Sequence, residues 1–319
     1  MYRRKIIPMI YHFILNPKSG RSKRQVVMEQ EILEACSKRQ LSYHIYYTTA
    51  KGDATNYVNS MIQQYPGERQ RFICVGGDGT VNEIANSVPG NPDLEFGVIP
   101  NGSGNDFVRN FSSLKNFSSI EAQLDGEAMS LDLIKCNDTY CVNMVNIGFD
   151  CSVVIESEKF RRVGFISASI SYILGVIMGF FKKFGTPMRL IFDDGEVIDK
   201  TLTLTAIGNG KFCGGGFMSA PRALLTDGVF DICAINKVSR AQFITLVKSY
   251  KSGTFLDKKN AQKLFVYRKE NHFRMEFEDL RPICIDGEIA YANSVDFSIA
   301  PGYFNFVIPK GSKLKYTSK

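Results

Sequence analysis

The chain has 319 residues, of which 44% are hydrophobic and 22% are charged, and its formal net charge is +7. These values are those of an ordinary globular protein, long enough for two domains, and the positive charge favours an anionic partner such as a nucleotide or an acidic membrane surface. Nucleic acid is disfavoured, because the sequence has no basic run with interleaved aromatic residues and no tryptophan.

The eight cysteines are scattered, without a C-x-x-C pair, and most of them fall in apolar, strand-like segments. This pattern predicts buried thiols in a reducing compartment, and therefore a cytoplasmic protein. The basic residues at positions 3–5 suggest the start of a signal peptide, but Pro8 and His12 interrupt the apolar run that follows and no cleavage site is present. We interpret this segment as the approach to the first strand.

The first third of the chain alternates between strand and helix patterns. Strands are predicted at residues 11–15, 41–47, 72–75 and 96–99, and helices at residues 22–39, 54–65 and 81–88. Such alternation indicates a doubly wound α/β domain with a mostly parallel sheet. Its ligands are expected beyond the carboxyl ends of the strands.

A glycine-rich segment follows the third strand, at Gly76-Gly77-Asp78-Gly79-Thr80. Glycines at a strand-to-helix turn let the backbone approach a polyphosphate, and the helix N-terminus offers N–H groups and a partial positive charge. A P-loop would carry a lysine here, whereas this loop carries an aspartate, so a divalent metal is expected between two like charges. The alternative is a glycine turn that Asp78 and Thr80 cap, without a ligand.

From about residue 131 the pattern changes to short strands rich in Val, Ile, Thr and Phe. Turn pairs separate them at residues 194–195, 227–228 and 286–287. This predicts an antiparallel β-sandwich domain over residues 132–300, after an α/β domain over residues 1–131, with helices near residues 165–181 and 240–250. Because no long linker is visible, the two domains are expected to pack closely and to form a cleft.

Residues 163–181 carry no charge and lie between Arg161-Arg162 and Lys182-Lys183. A segment of this length could just span a bilayer. Three glycines and three serines dilute its hydrophobicity, and basic residues at both ends give no orientation. The segment is therefore predicted to be a buried helix or one that docks on an anionic membrane surface.

Four motifs occur together: NPKSG at residues 16–20, KGDA at 51–54, GGDGTVNE at 76–83 and PNGSGNDF at 100–107. In this order and spacing the chain resembles the diacylglycerol kinase catalytic family, in particular the bacterial lipid kinases related to sphingosine kinases, over nearly its whole length. GGDGT alone is shared with NAD kinases, but their GSTAY-like segment is absent here. The last strand of that family returns to the first domain, which assigns residues 301–319 to the α/β domain.

The resemblance implies ATP as co-substrate and Mg²⁺ as cofactor. The implied ATP-binding residues are Asn16, Pro17, Lys18, Ser19, Gly20, Thr48, Gly77, Asp78, Gly79, Thr80, Val81, Asn82, Glu83 and Ser103. Ser103 stands where the family usually has threonine, so the hydroxyl is kept. The implied catalytic Mg²⁺ network consists of Lys23, Asp78, Asp106 and Asp132, and carboxylates near a triphosphate are typical of such a network. Without the resemblance, Asp132 is equally well explained as an exposed residue at a domain boundary.

Two further sites are implied in the second domain. Asp227 matches the carboxylate of a structural Mg²⁺ site to which Leu224 and Val229 contribute backbone carbonyls, with a plain hairpin turn as the alternative. Glu288, after Asp286-Gly287, matches the catalytic base of the family, with an ordinary exposed glutamate as the alternative. Glu288 and Asp78 are thus the candidate catalytic residues.

The predicted function is ATP-dependent phosphorylation of a lipid hydroxyl, with diacylglycerol as the first candidate, by a cytoplasmic enzyme that associates peripherally with membranes. ATP and a lipid are the expected partners, and a homodimer stays open. The alternatives are a kinase of a soluble substrate such as NAD, and a non-catalytic regulator that binds nucleotide or lipid. The sequence does not choose among diacylglycerol, sphingoid bases, polyprenols and phosphatidylglycerol as acceptors.

Overall fold

The computed structural model describes residues 9–17, 22–87, 90–161, 168–182, 184–259 and 261–317. These residues form two compact units: unit 1 comprises residues up to Leu131 together with Gly302–Thr317, and unit 2 comprises Asp132–Pro301. The chain leaves unit 1 within strand β5 (Glu127–Cys136) and returns to it within strand β13 (Glu288–Ile308). The cleft expected between the domains stays a prediction, as does the N-terminal segment, since residues 1–8 lie outside the described residues.

Unit 1 is built from strands and helices that alternate along the chain. Its strands are β1 (Ile10–Leu15), β2 (Ser42–Tyr47), β3 (Gln70–Gly76) and β4 (Leu94–Pro100), followed by the end of β13. Its helices are α1 (Ser22–Lys38), α2 (Asp53–Gln64), α3 (Asp78–Ala85), a 3₁₀ helix (Phe107–Asn110), α4 (Leu114–Phe117) and α5 (Ile120–Leu124). The strands are parallel in the order β2-β1-β3-β4-β13, so the loops that follow β1, β2, β3 and β4 emerge at one edge of the sheet.

The apolar pattern of the sequence explains the core of unit 1. Every residue of β3 is buried, and Phe13, Ile32 and Ile73 are fully enclosed between the sheet and its helices. Each strand and helix predicted in this region exists, with ends that differ by one to three residues from the prediction at most positions. One difference matters for the site: the helix predicted from Val81 already begins at Asp78.

Unit 2 is rich in antiparallel strands. Its strands are the end of β5, β6 (Thr139–Cys141), β7 (Met144–Gly148), β8 (Thr186–Phe192), β9 (Val197–Gly208), β10 (Phe230–Asn236), β11 (Phe265–Glu270), β12 (His272–Ile285) and the start of β13. Its helices are α6 (Phe149–Arg161), α7 (Ala168–Phe181), α8 (Arg240–Ser252), a 3₁₀ helix (Phe255–Asp257) and α9 (Ala261–Leu264). The main sheet has the order β11-β10-β9-β7-β12-β13, and β8 pairs with β9 and β12. The predicted fold class, an α/β domain followed by a β-rich domain, is confirmed.

Two apolar clusters stabilise unit 2. One lies among strand residues such as Leu190, Phe273 and Phe297. The other joins strand residues such as Leu204 to Phe243 and Tyr250 of α8. Helix α6 was not predicted, because its sequence mixes β-branched residues with charges at no clear helical period. Within the described residues, no helix combines the length and the apolar character that crossing a bilayer requires, and α7 has 14 residues.

The cysteines agree with the prediction of buried thiols. None of the eight forms a disulfide bond, all of them lie in the part of the chain that the structure describes, and each is buried except Cys213, which is partly exposed. Burial raises the pKa of Cys74 to about 12, so this thiol stays protonated at neutral pH. The reducing compartment that these thiols suggested stays a prediction.

Candidate functional site

Two glycine-bearing loops of unit 1 touch at the carboxyl ends of β3 and β4. A Cβ atom on Gly102 would lie 2.6 Å from the Cα of Gly77, and one on Gly77 would lie 3.1 Å from the Cα of Gly102. The Asn101 N–H donates a 2.8 Å hydrogen bond to the carbonyl oxygen of Gly76, which joins the two loops further. The close approach of the backbones therefore requires glycine at both positions, and it leaves a surface of bare main chain at this edge.

Asp78 connects these loops through its side chain. It is the first residue of α3, and its carboxylate accepts hydrogen bonds of 3.2 Å from the N–H groups of Asp106 and Phe107. The helix cap is Gly77, and it makes no side-chain capping bond. Asp78 therefore does more than cap a turn, since it fixes a loop 28 residues further along the chain. Whether the glycine turn binds a ligand stays a prediction.

Asp78 and Asp106 face the same small space above Gly104. A Cβ atom on Gly104 would lie 3.0 Å from Asp78 Oδ2 and 3.4 Å from Asp106 Oδ2. Arg109, which no sequence motif singled out, lies beside them: its Nε is 3.1 Å from Asp106 Oδ1, and it donates a 3.0 Å hydrogen bond to the Gly104 carbonyl oxygen. Two carboxylates over a glycine form a set of oxygen ligands of the kind that Mg²⁺ prefers.

Aromatic packing anchors the loop that carries Asp106. Phe107 is 2% exposed and packs edge-to-face against Phe306 of β13, with 4.9 Å between the ring centroids, and against Phe111 at 5.6 Å. Such pairs stabilise beyond the area that they bury. The position of Asp106 is thus set by the core of unit 1 as well as by Asp78.

The other implied nucleotide-binding residues of unit 1 lie at the same sheet edge or outside the described residues. Asn16 follows β1 and its N–H donates to the Val75 carbonyl oxygen at 3.1 Å, while Thr48 follows β2 and its N–H donates to the Leu15 carbonyl oxygen at 2.9 Å. Ser103 is exposed and lines a pocket of about 360 Å³. Pro17 follows Asn16 in a turn, Lys18, Ser19 and Gly20 lie outside the described residues, and Lys23 lies on α1.

The residues of GGDGTVNE beyond Asp78 form the first two turns of α3. Thr80 and Val81 are buried, and their N–H groups both donate to the Gly77 carbonyl oxygen, at 3.0 and 3.2 Å. Gly79, Asn82 and Glu83 are partly exposed on the same helix. The side chains of Thr80 and Val81 therefore serve packing, and the more exposed part of the motif consists of Gly79, Asn82 and Glu83.

The KGDA segment has a structural role in unit 1. Asp53 accepts hydrogen bonds from the Thr49 N–H at 2.7 Å, from the Thr49 hydroxyl at 2.9 Å and from the Tyr46 hydroxyl at 2.8 Å. The hydrogen bond from the Thr49 backbone is the main cause that lowers the pKa of Asp53. Asp53 thus holds the loop after β2 in which Thr48 lies.

In unit 2, Asp132 is buried rather than exposed, with 4% of its surface accessible. Its Oδ2 accepts a 2.8 Å hydrogen bond from the Gly228 N–H, and its own N–H donates to the Leu225 carbonyl oxygen at 2.8 Å. Asn209 donates to the Asp132 carbonyl oxygen at 2.7 Å. The interpretation as an exposed boundary residue is therefore wrong, because Asp132 supports the loop that contains Asp227.

That loop is not a hairpin turn. Asp227 and Gly228 end a long connection between β9 and β10, and β10 begins at Phe230. Asp227 Oδ2 forms an ion pair of 2.8 Å with Lys269 Nζ, and Asp227 Oδ1 is buried without a hydrogen-bond partner in the described part of the chain. Leu224 and Val229, the other implied ligands, flank Asp227 in the same loop.

Glu288 follows a tight turn that is firmly held. Asp286 and Gly287 have φ values of +47° and +93°, as a two-residue hairpin turn requires, and Glu288 pairs with Ile285 across the turn. The Asp286 carboxylate accepts hydrogen bonds from the N–H groups of Val142 at 2.7 Å and of Asn143 and Met144 at 3.0 Å. The predicted turn is confirmed. Because the N–H groups of residues 142–144 hold Asp286, the partly buried Glu288 next to it has a defined position.

Unit 2 also contains buried polar groups that were not predicted from the sequence. Asp150 is the second residue of α6, two positions after Gly148, whose φ is +91°. Burial raises the pKa of the Asp150 carboxyl group to about 7. Its Oδ2 is buried and accepts no hydrogen bond from the described residues. The thiol of Cys213 lies 2.9 Å from the Ser219 hydroxyl and 3.8 Å from Asn146 Oδ1. A glycine at a strand exit followed by an aspartate at a helix start was the available signal.

Comparison with known proteins places both units in described families. The model of the diacylglycerol kinase catalytic domain matches residues 11–136, and that of the YegS C-terminal NAD kinase beta sandwich-like domain matches residues 143–308. A probable lipid kinase YegS-like of Shewanella frigidimarina is 26% identical over 300 residues, which cover 91% of this chain and 92% of that protein. A diacylglycerol kinase of Staphylococcus carnosus is 25% identical over 304 residues, or 94% of this chain and 95% of that protein. The crystal structure of a putative diacylglycerol kinase from Bacillus anthracis str. Sterne has a TM-score of 0.74 at 22% identity, covering 97% of this chain and 99% of that one, and so shares the fold.

Proposed function

Since the chain belongs to the diacylglycerol kinase catalytic family, we propose that it transfers the γ-phosphoryl group of ATP to the hydroxyl group of a lipid, with diacylglycerol as the first candidate. The observation that carries the proposal is the pair of carboxylates, Asp78 and Asp106, that faces the space above Gly104 next to two touching glycine loops. Phosphoryl transfer asks a protein mainly to position two substrates, to offset negative charge and to accept one proton.

Unit 1 supplies the first two functions. The bare backbone at Gly77 and Gly102 admits the phosphates closely, and the start of α3 offsets part of their charge. Asp78 and Asp106 would hold the catalytic Mg²⁺. The absence of a side chain at Gly104 leaves room for this ion, because a Cβ atom at position 104 would occupy the space between the two carboxylates. When bound, Mg²⁺ would neutralise charge on the phosphate oxygens.

Two further residues belong to the proposed catalytic network. Lys23 and Asp132 match the family's pattern, one on α1 and the other in the first segment of unit 2, and both stay part of the proposal. Arg109 joins them on structural grounds, because its guanidinium group lies against Asp106 and offsets part of the charge there.

Unit 2 supplies the proton acceptor. We assign this role to the carboxylate of Glu288, because Asp286 and its three backbone donors fix the turn from which Glu288 starts β13. As the lipid hydroxyl attacks the γ-phosphorus, its oxygen forms the new P–O bond and its proton passes to Glu288, while the P–O bond to ADP breaks. Such a base typically accelerates a reaction by about 10²- to 10⁴-fold.

Unit 2 would also hold a structural Mg²⁺ at Asp227, with the backbone carbonyls of Leu224 and Val229. The buried Asp227 Oδ1, which accepts no hydrogen bond from the described residues, fits such an ion. Asp132 supports the same loop through Gly228. The metal would supply folding stability to this loop rather than chemistry.

A lipid substrate has to be met at a membrane, and the outer face of α7 and α8 suits that contact. Ile177, Phe181 and Ile244 are 48%, 73% and 61% exposed. Arg240 ties the two helices together by donating hydrogen bonds to the carbonyl oxygens of residues 180 and 182. Apolar side chains beside basic ones favour an acidic lipid surface, so we propose that this face docks there.

The decisive experiment is a phosphorylation screen with labelled ATP and purified protein. Diacylglycerol, a sphingoid base, a polyprenol and phosphatidylglycerol are offered in mixed micelles, and NAD is offered in solution. Lipid-dependent transfer that Mg²⁺ supports is the expected result. Transfer to NAD without micelles would favour the kinase of a soluble substrate, and ATP binding without transfer to any acceptor would favour a non-catalytic regulator.

A further inference from the structure

The ammonium group of a lysine, Lys269, lies against the carboxylate of Asp227, where the structural Mg²⁺ is proposed to bind. Lys269 stands on β11 directly opposite Asp231 of β10, a register that brings their side chains together. Its Nζ lies 2.8 Å from Asp227 Oδ2 and 3.5 Å from Asp231 Oδ2. One ammonium group thus lies against two carboxylates, and it comes from a strand about 40 residues away from them in sequence.

The two carboxylates keep oxygens that could accept a further cation. Asp227 Oδ1 and Asp231 Oδ2 are both buried, and neither accepts a hydrogen bond from the residues that the structure describes. Asp231 is 0% exposed, and its other oxygen accepts a 2.7 Å hydrogen bond from the Tyr267 hydroxyl. Buried carboxylate oxygens that lack donors favour a cation nearby. Lys269 offsets part of their charge, to which the buried Lys211 also contributes, without filling all of their oxygens.

We propose that Lys269 is a built-in competitor of the divalent cation at Asp227. The inference rests on the structural Mg²⁺ site of the proposed function. An ammonium group has donors but no lone pair, so it cannot join the ligands of a metal ion, and its charge opposes a second cation on the same carboxylate. Lys269 holds Asp227 while free Mg²⁺ is scarce and yields its place when Mg²⁺ binds.

The surroundings of Lys269 allow this exchange. Its side chain is 36% exposed on a flexible stem, so it can turn towards water, whereas Asp231 is enclosed and cannot follow. The buried Lys211 stays near Asp231 when Lys269 turns away. The loop around Asp227 therefore has two neutralised arrangements, one with Lys269 and one with the metal. Unit 2 keeps its fold without Mg²⁺, and the loop responds to the Mg²⁺ concentration with an affinity that Lys269 lowers.

A local measurement separates this loop from the catalytic metal of unit 1. Hydrogen exchange of a peptide covering residues 224–231 is followed while MgCl₂ is added to the full chain without nucleotide. Lys269→Met is expected to lower the Mg²⁺ concentration at half-maximal protection by roughly tenfold, since one positive charge is removed at contact distance. Lys269→Arg, which keeps the charge, is expected to stay near wild type, and so is Lys200→Met, at an exposed lysine on β9.

Each outcome decides between the metal site and the competition. If Asp227→Asn abolishes the protection but Lys269→Met leaves the midpoint unchanged, the Mg²⁺ site stands and the competition is overturned. If neither wild type nor Lys269→Met gains protection from Mg²⁺, the site and the competition both fall. If Mg²⁺ protects the peptide in Lys269→Met but not in wild type, Lys269 excludes Mg²⁺ from Asp227, and the competition is supported. Lys269→Gln, which keeps a hydrogen-bond donor for Asp227, provides the same comparison if the methionine variant does not fold.

Discussion

The loop that carries Asp78 and the turn that carries Glu288 are positioned in opposite ways. Around Asp78, short contiguous motifs hold one another: Gly77 packs on Gly102, and Asp78 binds the backbone at Asp106. Around Glu288, a single carboxylate, that of Asp286, reaches across to backbone N–H groups 142 to 144 residues away in sequence. The proposed nucleotide side thus depends on two motifs 28 residues apart and on the packing of Phe107 against Phe306, whereas the proposed acceptor side depends on contacts across 142 or more residues. Substitutions should therefore affect the two sides differently.

The largest effect is expected from Asp78→Asn. The change keeps the shape but removes a charge from the proposed Mg²⁺ site, so phosphoryl transfer should fall to background, by at least about 10³-fold. Turnover with labelled ATP and lipid micelles measures this, and circular dichroism checks the fold. Asp93→Asn, at an exposed aspartate of unit 1, is the matched control. Near-normal turnover in folded Asp78→Asn protein would remove Asp78 from the site.

Glu288→Gln should lower turnover by about 10²- to 10⁴-fold, because the amide cannot accept the proton of the lipid hydroxyl. ATP affinity should hardly change, in contrast to a substitution in the phosphate loops, and equilibrium binding of a fluorescent ATP analogue tests that contrast. If the variant binds ATP poorly and yet turns over what it binds at the normal rate, Glu288 belongs to the nucleotide side and the contrast between the two sides fails.

Asp286→Ala tests whether the turn must be held for Glu288 to act. The substitution leaves the N–H groups of residues 142–144 without their acceptor and places alanine at a positive φ, so the free energy of unfolding should fall by roughly 2–4 kcal/mol. Turnover measured well below the melting temperature should also fall, by about tenfold or more. Asp286→Asn, which tolerates positive φ and keeps one acceptor, should lie between wild type and alanine. Unchanged turnover in a destabilised alanine variant would limit Asp286 to a folding role.

Asp150→Asn should give the smallest effect on turnover, and an effect on stability that depends on pH. The folded-state pKa is raised to about 7 from an ordinary value of 3.8, so between about pH 4 and pH 7 the folded protein keeps a proton that the unfolded chain has lost. Stability is then highest at the acidic end of this window and falls as pH rises to about 7, by up to about 1.4 kcal/mol per pH unit. Chemical denaturation at pH 5 and pH 8 should show Asp150→Asn less sensitive to pH than wild type and more stable at pH 8. Exposed Asp138 provides the control variant, and an unchanged pH slope in Asp150→Asn would contradict the assignment.

The contrast between local motifs and long-range contacts explains which parts of the structure could be predicted from the sequence. The alternation of strands and helices, the glycine loops and the Asp286-Gly287 turn follow from local patterns, and the fold class is confirmed from them. The neighbours of Asp132, Asp150 and Lys269 could not be predicted from local patterns, because they depend on strand register and on burial. The helix at α6 was missed for a related reason, since its packing, rather than its own pattern, stabilises it. The assignments of Asp78, Asp106, Asp227 and Glu288 to metal or proton chemistry stay predictions.

The reach of Asp286 also bears on the order in which the protein folds. The two-residue turn at residues 286–287 can form early, since its hydrogen bonds are local, and hairpins of this kind form within microseconds. Its contact with the backbone at residues 142–144 closes a very long loop, whose entropy cost is offset only when the strands of unit 2 assemble. On refolding, catalytic competence should therefore not return before the strands of unit 2 have assembled, however early the turn itself forms.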